Sequence, residues 1–359
     1  MIRILAVNPG STSTKMGVFE DDRMVREVTV AHADAELRPF SGRPILDQLD
    51  MRLAAVAREL DDGTHDGVVG RGGLLGPLPG GTYRVDDVML EDLAAAQRGE
   101  HASNLGPFLA RRLAESSGCD AYTVDPVSVD EWTAVARYSG VKGLDRVSLS
   151  HALNTRAVAR RHATDVGTAY EDMRLVVLHL GSGITVSAHR DGRMVDACNS
   201  MDEGPFAMDR AGGVPVSGLL DAAFAAATPA DRSALRRRLF GEGGVHSYLG
   251  TRDLRDVLAR VDAGDDEAAE VVAAMLYQVS KEAGAMAAVL EGNVDGVLVT
   301  GGMAHAERIR DALRHSLGWI APVHVYPGED ELRALAEGVL RVLRGEAVAL
   351  RYGDVVRRP

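Results

Sequence analysis

At 359 residues the chain exceeds the usual span of one hydrophobic core, so two lobes are the first expectation. Its 46% apolar and 26% charged residues suit an ordinary globular protein, and only 4% aromatic residues leave few stacking platforms for single-stranded nucleic acid. A formal charge of −12 argues against binding nucleic-acid backbones, but a small phosphorylated ligand needs only a few N–H groups and one or two arginines.

Cys119 and Cys198 are the only cysteines, too few for a disulfide framework or a zinc cluster, and they fit a reducing compartment. The chain opens on the apolar run Ile2 to Val7, without the basic region of a signal peptide. No run of about 18 apolar residues is free of charge, so a cytoplasmic protein with no membrane span is expected.

In chain order, Ile4 to Asn8 reads as a strand, Pro9 to Ser13 as a small-residue turn, and Lys15 to Glu20 as the returning strand; Asp21-Asp22 then turns into Arg23-Met-Val25. Helical spacing over Ile45 to Leu60 is followed by an apolar strand at Gly67 to Gly70 and helices at Asp87 to Ala96 and Ser103 to Ser117. The strand Ala121 to Val124 leads to a helix at Ser150 to Val166. The opening layout then returns: strand Leu175 to Leu180, turn Gly181-Ser-Gly183, strand Ile184 to Arg190, and an Asp191-Gly192 turn into Arg193-Met-Val195. Helices follow at Val216 to Ala227, Ala230 to Leu239, Thr251 to Val261 and Asp265 to Leu290, then a buried strand at Val294 to Thr300. Helices Ala304 to Leu317 and Asp330 to Leu343 flank a strand at Val323 to Tyr326. Alternating strands and helices, with the hairpin layout used twice, predict a duplicated α/β domain whose lobes meet near residue 150.

Three small-residue sites stand at strand ends. Asn8-Pro-Gly-Ser-Thr-Ser-Thr-Lys15 offers N–H and O–H donors to an anion with little side chain in the way, and a strand follows it where a Walker A loop would open a helix. Gly181-Ser182-Gly183 has the same chemistry, and two such tips facing one cleft could hold opposite ends of a triphosphate. Thr300-Gly-Gly-Met303 ends a buried strand, where glycine lets backbone approach a flat ligand such as adenine and its ribose.

In this order the three sites resemble the superfamily of acetate and sugar kinases, heat-shock chaperones and actin. The first is similar to the opening of acetate and butyrate kinases. The butyrate kinase branch is matched by Val69-Gly-Arg-Gly-Gly73, Pro79-Gly-Gly-Thr-Tyr83, Gly99-Glu-His-Ala-Ser-Asn104 and Val124-Asp-Pro-Val127. Further matches are His151-Ala-Leu-Asn154, Gly204-Pro-Phe206 and Tyr326-Pro-Gly-Glu-Asp-Glu331. The resemblance implies a duplicated ribonuclease-H-like two-lobe fold. Its N-terminal lobe, 1–150, would be completed by a C-terminal helix within 330–359, and its nucleotide-binding lobe would be 151–329.

It also implies an ATP-dependent, Mg2+-requiring kinase that converts butyrate to butanoyl phosphate reversibly, acting as a homo-oligomer. Acetate, propionate or a branched acid is the alternative substrate, and an actin-like nucleotide-binding scaffold or a sugar kinase the alternative class. Phosphoryl transfer to a carboxylate needs no base, because the nucleophile is already ionised; it needs positive charge. Arg71 and Arg210 are the candidates for that charge, with Asp125 and His151 beside them as catalytic candidates. Nucleotide contacts are expected from Asn8, Ser11, Thr12, Lys15, His179, Gly181, Ser182, Gly183, Gly301, Gly302 and Met303. Magnesium is expected near Asn8, Asp125, Glu329 and Glu331, although the acidic trio Glu329-Asp-Glu331 could equally cap the last helix. The acyl pocket is expected at Gly70, Ala102, Ser103 and Asn104, where acetate kinases look bulkier at 70 and 102. Ser182 departs from the Gly-Gly-Gly of butyrate kinases, and Ser200 to Gly204 is one residue shorter than their pattern.

Overall fold

The computed structural model describes residues 1–60 and 63–356; the last three residues of the expected 330–359 segment lie outside the described residues. The strands are β1 (Arg3–Pro9), β2 (Ser13–Glu20), β3 (Arg23–Ala31), β4 (Gly67–Gly70), β5 (Thr82–Arg84), β6 (Asp120–Val124), β7 (Leu175–Leu180), β8 (Ile184–Arg190), β9 (Arg193–Ala197), β10 (Gly296–Gly301), β11 (Val323–Pro327) and β12 (Leu350–Arg351). Two compact units share them, one formed by residues 1–131 and 330–359 and the other by 132–329.

The first unit is built on a seven-stranded sheet in the order β12-β5-β6-β4-β1-β2-β3. β1, β2 and β3 form an antiparallel meander, while β4 and β6 continue from β1 in parallel. Helices cover both faces at β4. A Cβ on Gly67 would touch Val339 of the helix Glu331–Leu343, whereas one on Gly70, three residues on and so facing the other way, would meet the carbonyl of Gly106 at the start of the helix Gly106–Ser117. Cover on both sides is why β4 reads as an unbroken apolar run rather than an alternation.

The second unit repeats the plan in a five-stranded sheet, β11-β10-β7-β8-β9. Again an antiparallel meander (β7, β8, β9) is extended by parallel strands (β10, β11). Each meander has a register shift in its second hairpin, at Val18/Phe19 and at Ala188/His189. Each second turn holds an aspartate at positive φ, Asp21 at 53° and Asp191 at 54°. Two cores sandwich this sheet. Val176, Leu178 and Leu180 belong with the helix Asp266–Val289, and Leu175 and Val177 with the helix Ala152–Asp165.

Several boundaries differ from the sequence reading. Residues 132–150 belong to the second unit: Thr133 N donates to Val195 O, and Arg146 binds Ala136 O, Ala197 O, Asp196 and Glu203 while lying over the Trp132 ring. No change in composition marks that crossing. β3 runs on to Ala31 because an edge strand tolerates the alternating polar residues that made it look finished at Val25. The strands β5 and β12, of three and two residues, are too short to show a period.

Candidate active site

In the first unit, β1 and β2 pair with Asn8 opposite Lys15 and Pro9 opposite Thr14, leaving a tip closed by Gly10 N donating to Ser13 O at 2.8 Å. Ser11, Thr12 and Lys15 are exposed there. Asn8 Nδ2 donates to Glu331 Oε2 at 2.5 Å, and the other oxygen of that carboxylate stands 2.5 Å from Arg71 Nη1. Glu331, the first residue of its helix, thus ties together two groups from distant parts of the chain. Arg71 is 7% exposed, and its contact with Glu331 is an ion pair rather than an aligned hydrogen bond.

The loop carrying Arg71 is clamped by glycines. Cβ atoms on Gly70 and Gly106 would come 2.0 Å from the carbonyls of Gly106 and Arg71 respectively, and one on Gly73 would strike Asn104. Asn104 Oδ1 accepts from Leu74 N and its Nδ2 donates to Gly99 O, while Ser103 is bonded to His101 Nδ1. Gly70 therefore has a packing reason to be small, a helix backbone against it, and Asn104 braces the arginine loop, while Ala102 and Ser103 are buried beside it. Asp125 is also a brace. At φ 38° it accepts from Gly81 N at 2.7 Å through its carboxylate and donates its own N–H to Gly81 O, and the next residue, Pro126, packs on Gly72.

In the second unit, the tip between β7 and β8 closes through Gly181 N donating to Gly183 O at 3.0 Å. A Cβ on Gly183 would lie 2.3 Å from Arg210 Nη1, and one on Gly181 would lie 2.8 Å from Glu329 Oε1. Ser182, between them, is exposed. The departure from Gly-Gly-Gly therefore falls at the one tip position whose side chain points to open space.

Arg210 donates to Ser200 O at 3.2 Å, and its only ion-pair partner among the described residues is Asp209 at 3.9 Å. Burial pulls the Arg210 guanidinium below its ordinary pKa, with Asp209 opposing, and burial raises the Asp209 carboxyl. A partly exposed guanidinium so weakly compensated is suited to meeting an anion. Beneath the tip, the rings of His151 and His179 stack at 3.9 Å and 12°. His151 Nδ1 lies 2.8 Å from Thr185 Oγ1 on β8; His179 Nδ1 donates to Asn154 Oδ1, and its Nε2 faces Glu329 Oε1 at 3.2 Å.

A cavity of about 800 Å³ opens beside this tip, within the size range of small-ligand sites. Gly181, Ser182, Gly302 and Met303, expected at the nucleotide, and Glu329, expected at magnesium, line it, together with His305 and side chains of the segment Arg252 to Leu258, which sequence reasoning missed. The missed segment has a sequence mark, an aspartate opening a helix: Asp253 caps Leu254–Asp262 by accepting from Arg255 N. Gly301 stands behind the wall. At φ 93° it lets β10 close on Leu180 O, 2.4 Å from where a Cβ would sit, and it exchanges both backbone hydrogen bonds with Gly328.

No group of three or more His, Cys, Asp or Glu side chains able to hold a metal occurs among the described residues. Of the four expected magnesium ligands, only Asn8 and Glu331 are joined; Asp125 is engaged with Gly81 and Glu329 faces His179. A hard-oxygen pair such as Asn8 and Glu331 fits a cation that keeps most of its shell as water and phosphate oxygen.

A duplicated unit whose meander continues into parallel strands, with glycine tips at the strand ends, defines a two-unit α/β fold with mixed sheets. The fold matches an acetate kinase from Porphyromonas gingivalis with a TM-score of 0.74 at 17% identity, covering 94% of this chain and 99% of that one. A propionate kinase from Francisella tularensis subsp. tularensis SCHU S4 matches at 0.71 and 16%, covering 94% and 99%. A ROK family protein from Streptococcus pneumoniae TIGR4 in complex with sucrose matches more loosely, at 0.55 and 10%, covering 96% and 100%. The family model for the acetokinase family matches residues 133–321, and the chain belongs to that family.

Proposed function

We propose that this protein transfers the γ-phosphoryl group of ATP reversibly to the carboxylate of a short-chain acid, with butyrate as the preferred acid. The observation that carries the reading is Arg210 packed on Gly183 of a glycine tip that walls a nucleotide-sized cavity, with only a distant carboxylate to neutralise it. The acid's oxygen attacks the γ-phosphorus, a new P–O bond forms, and the bond to the β,γ-bridging oxygen breaks with its electrons leaving on ADP. The carboxylate is ionised at neutral pH, so no side chain has to take a proton. Arg210 and Arg71 offset the charge of the two anions, the tip amides hold phosphate oxygens, and His151, oriented by Thr185, donates to the transferring group. Glu331 orients Arg71, and Asp125 holds the turn against which the Arg71 loop packs. Magnesium, held by Asn8 and Glu331, would supply charge neutralisation at the phosphates.

Support for a C4 acid comes from the motifs shared with butyrate kinases, since packing accounts for Gly70. Acetate or propionate is the second reading, favoured by the named activities of the structural neighbours. Trapping acyl hydroxamates from C2 to C6 acids separates the two. Two further buried methylenes, at about 0.8 kcal/mol each, predict a kcat/KM for butyrate roughly tenfold above that for acetate. A ratio of one or less rejects butyrate, and no hydroxamate from any acid rejects the kinase reading.

A further inference from the structure

Arg52 lies on the helix Leu49–Glu59, outside every motif assigned above, and its side chain is 0% exposed. Its guanidinium spreads beneath the first hairpin tip. Nη1 donates to Gly10 O at 2.8 Å, Ser13 O at 3.2 Å and Thr14 Oγ1 at 3.1 Å, and Nη2 donates to Ser11 O at 3.1 Å. Nε and Nη2 both donate to Gln48 Oε1, one turn earlier on the helix. The remaining tip carbonyl, Thr12 O, accepts from His32 N. All four carbonyls from Gly10 to Ser13 are therefore engaged within the protein. The N–H groups of Ser11 and Thr12 donate to nothing among the described residues, and both residues are exposed.

The second feature is charge. Buried guanidiniums are normally paired with a carboxylate. No Asp or Glu lies within ion-pair distance of Arg52 among the described residues, and burial alone draws its pKa below the ordinary value. A full positive charge thus sits under a tip whose carbonyls are occupied and whose two exposed amides are free. That combination attracts an anion and presents donors to it.

We infer that Arg52 is a positioning residue for phosphoryl transfer, fixing the polarity of the Gly10–Ser13 tip and supplying a buried counter-charge to the nucleotide's phosphates. Without the guanidinium, Gly10 O and Ser11 O lose their donors and become able to turn outward, where they would repel phosphate oxygen, while Ser13 O keeps only Gly10 N. The inference rests on the reading of that tip as a phosphate site.

The test compares the wild-type chain with Arg52→Met, Arg52→Lys and Gln48→Leu. It measures MgADP affinity by calorimetry, KM for ATP and for the acid, and the unliganded melting temperature. Arg52→Met is expected to weaken MgADP at least tenfold and raise the ATP KM in step, with the acid KM within threefold of wild type. Arg52→Lys, which keeps the charge and loses the spread of donors, should recover part of that affinity. Folded variants that bind MgADP within twofold of wild type overturn the inference, as do ATP and acid KM values rising together with a fallen melting temperature. Should Arg52→Met not fold, Gln48→Leu decides: a nucleotide-selective loss of threefold or more supports the role, and no selective loss overturns it. A wild-type chain that fails to bind MgADP rejects the phosphate site itself, and the inference with it. One that binds MgADP yet forms no acyl phosphate rejects only the carboxylate acceptor.

Discussion

Gly183 and Arg210 are each other's nearest constraint. An alanine at 183 would place its Cβ 2.3 Å from the guanidinium, and the guanidinium, as the mobile end of a long side chain, would give way before the backbone did. Gly183→Ala should therefore lower kcat tenfold or more, about 1.4 kcal/mol in the barrier, while moving the melting temperature by only a few degrees. Steady-state kinetics beside a thermal melt checks this, and a collapse of stability with kcat preserved per folded molecule would deny the contact its catalytic meaning. The sequence indicated a glycine tip and an arginine separately. Their contact was not legible, because nothing local to 183 says which side chain will arrive across the unit.

At the scale of elements, the glycines of the 70–73 loop and Gly106 let a strand end and a helix start approach to backbone contact. Gly70→Ala would press a methyl against the Gly106 carbonyl, and overpacking of this kind costs about 1–3 kcal/mol. Urea unfolding should show that loss, while the butyrate-to-acetate ratio of kcat/KM stays within twofold of wild type. A shift toward acetate without loss of stability would return Gly70 to the acyl pocket. Most elements were readable from periodicity because each face has one kind of neighbour. What periodicity missed were brief elements, among them β5, β12 and the helices Asp34–Leu37, Gly244–Leu249 and Tyr352–Val355, whose existence depends on partners rather than on their own pattern.

For the whole molecule, protonation links the core to pH. Burial, with Arg156 and Arg160 adding to it, pushes the His189 imidazole down from 6.5 to about 3, and the ring is bonded to Tyr170 and Ser187. A histidine kept neutral in the fold contributes stability above the unfolded value of 6.5 and loses it as pH falls toward 3, because the unfolded chain takes up the proton first. The loss is about 1.4 kcal/mol per pH unit, so unfolding at pH 5 should be easier than at pH 7 by roughly 2 kcal/mol from this group alone. His189→Gln should flatten that dependence between pH 6.5 and 5, and an unchanged slope would assign the effect to other groups. His32 and His162, both lowered chiefly by burial, act in the same direction.

The duplication was written in the sequence, since two strand–turn–strand runs of the same layout pair locally and the turn after each carries an aspartate. The family match to 133–321 falls inside the second unit, 132–329, so the likeness of the first unit rests on its motifs and its fold. The sequence by itself determined most of the strands and the glycine tips, which follow from neighbours a few residues apart, and its motifs pointed by resemblance to the charged candidates. Only the tertiary structure decided that Glu331 returns to Asn8 and Arg71, that a buried Arg52 turns the first tip's carbonyls inward, and that Gly70 faces a helix rather than an acyl chain. Those outcomes depend on which faces meet across the sheet, and contacts between residues far apart in the chain leave no period in it to read.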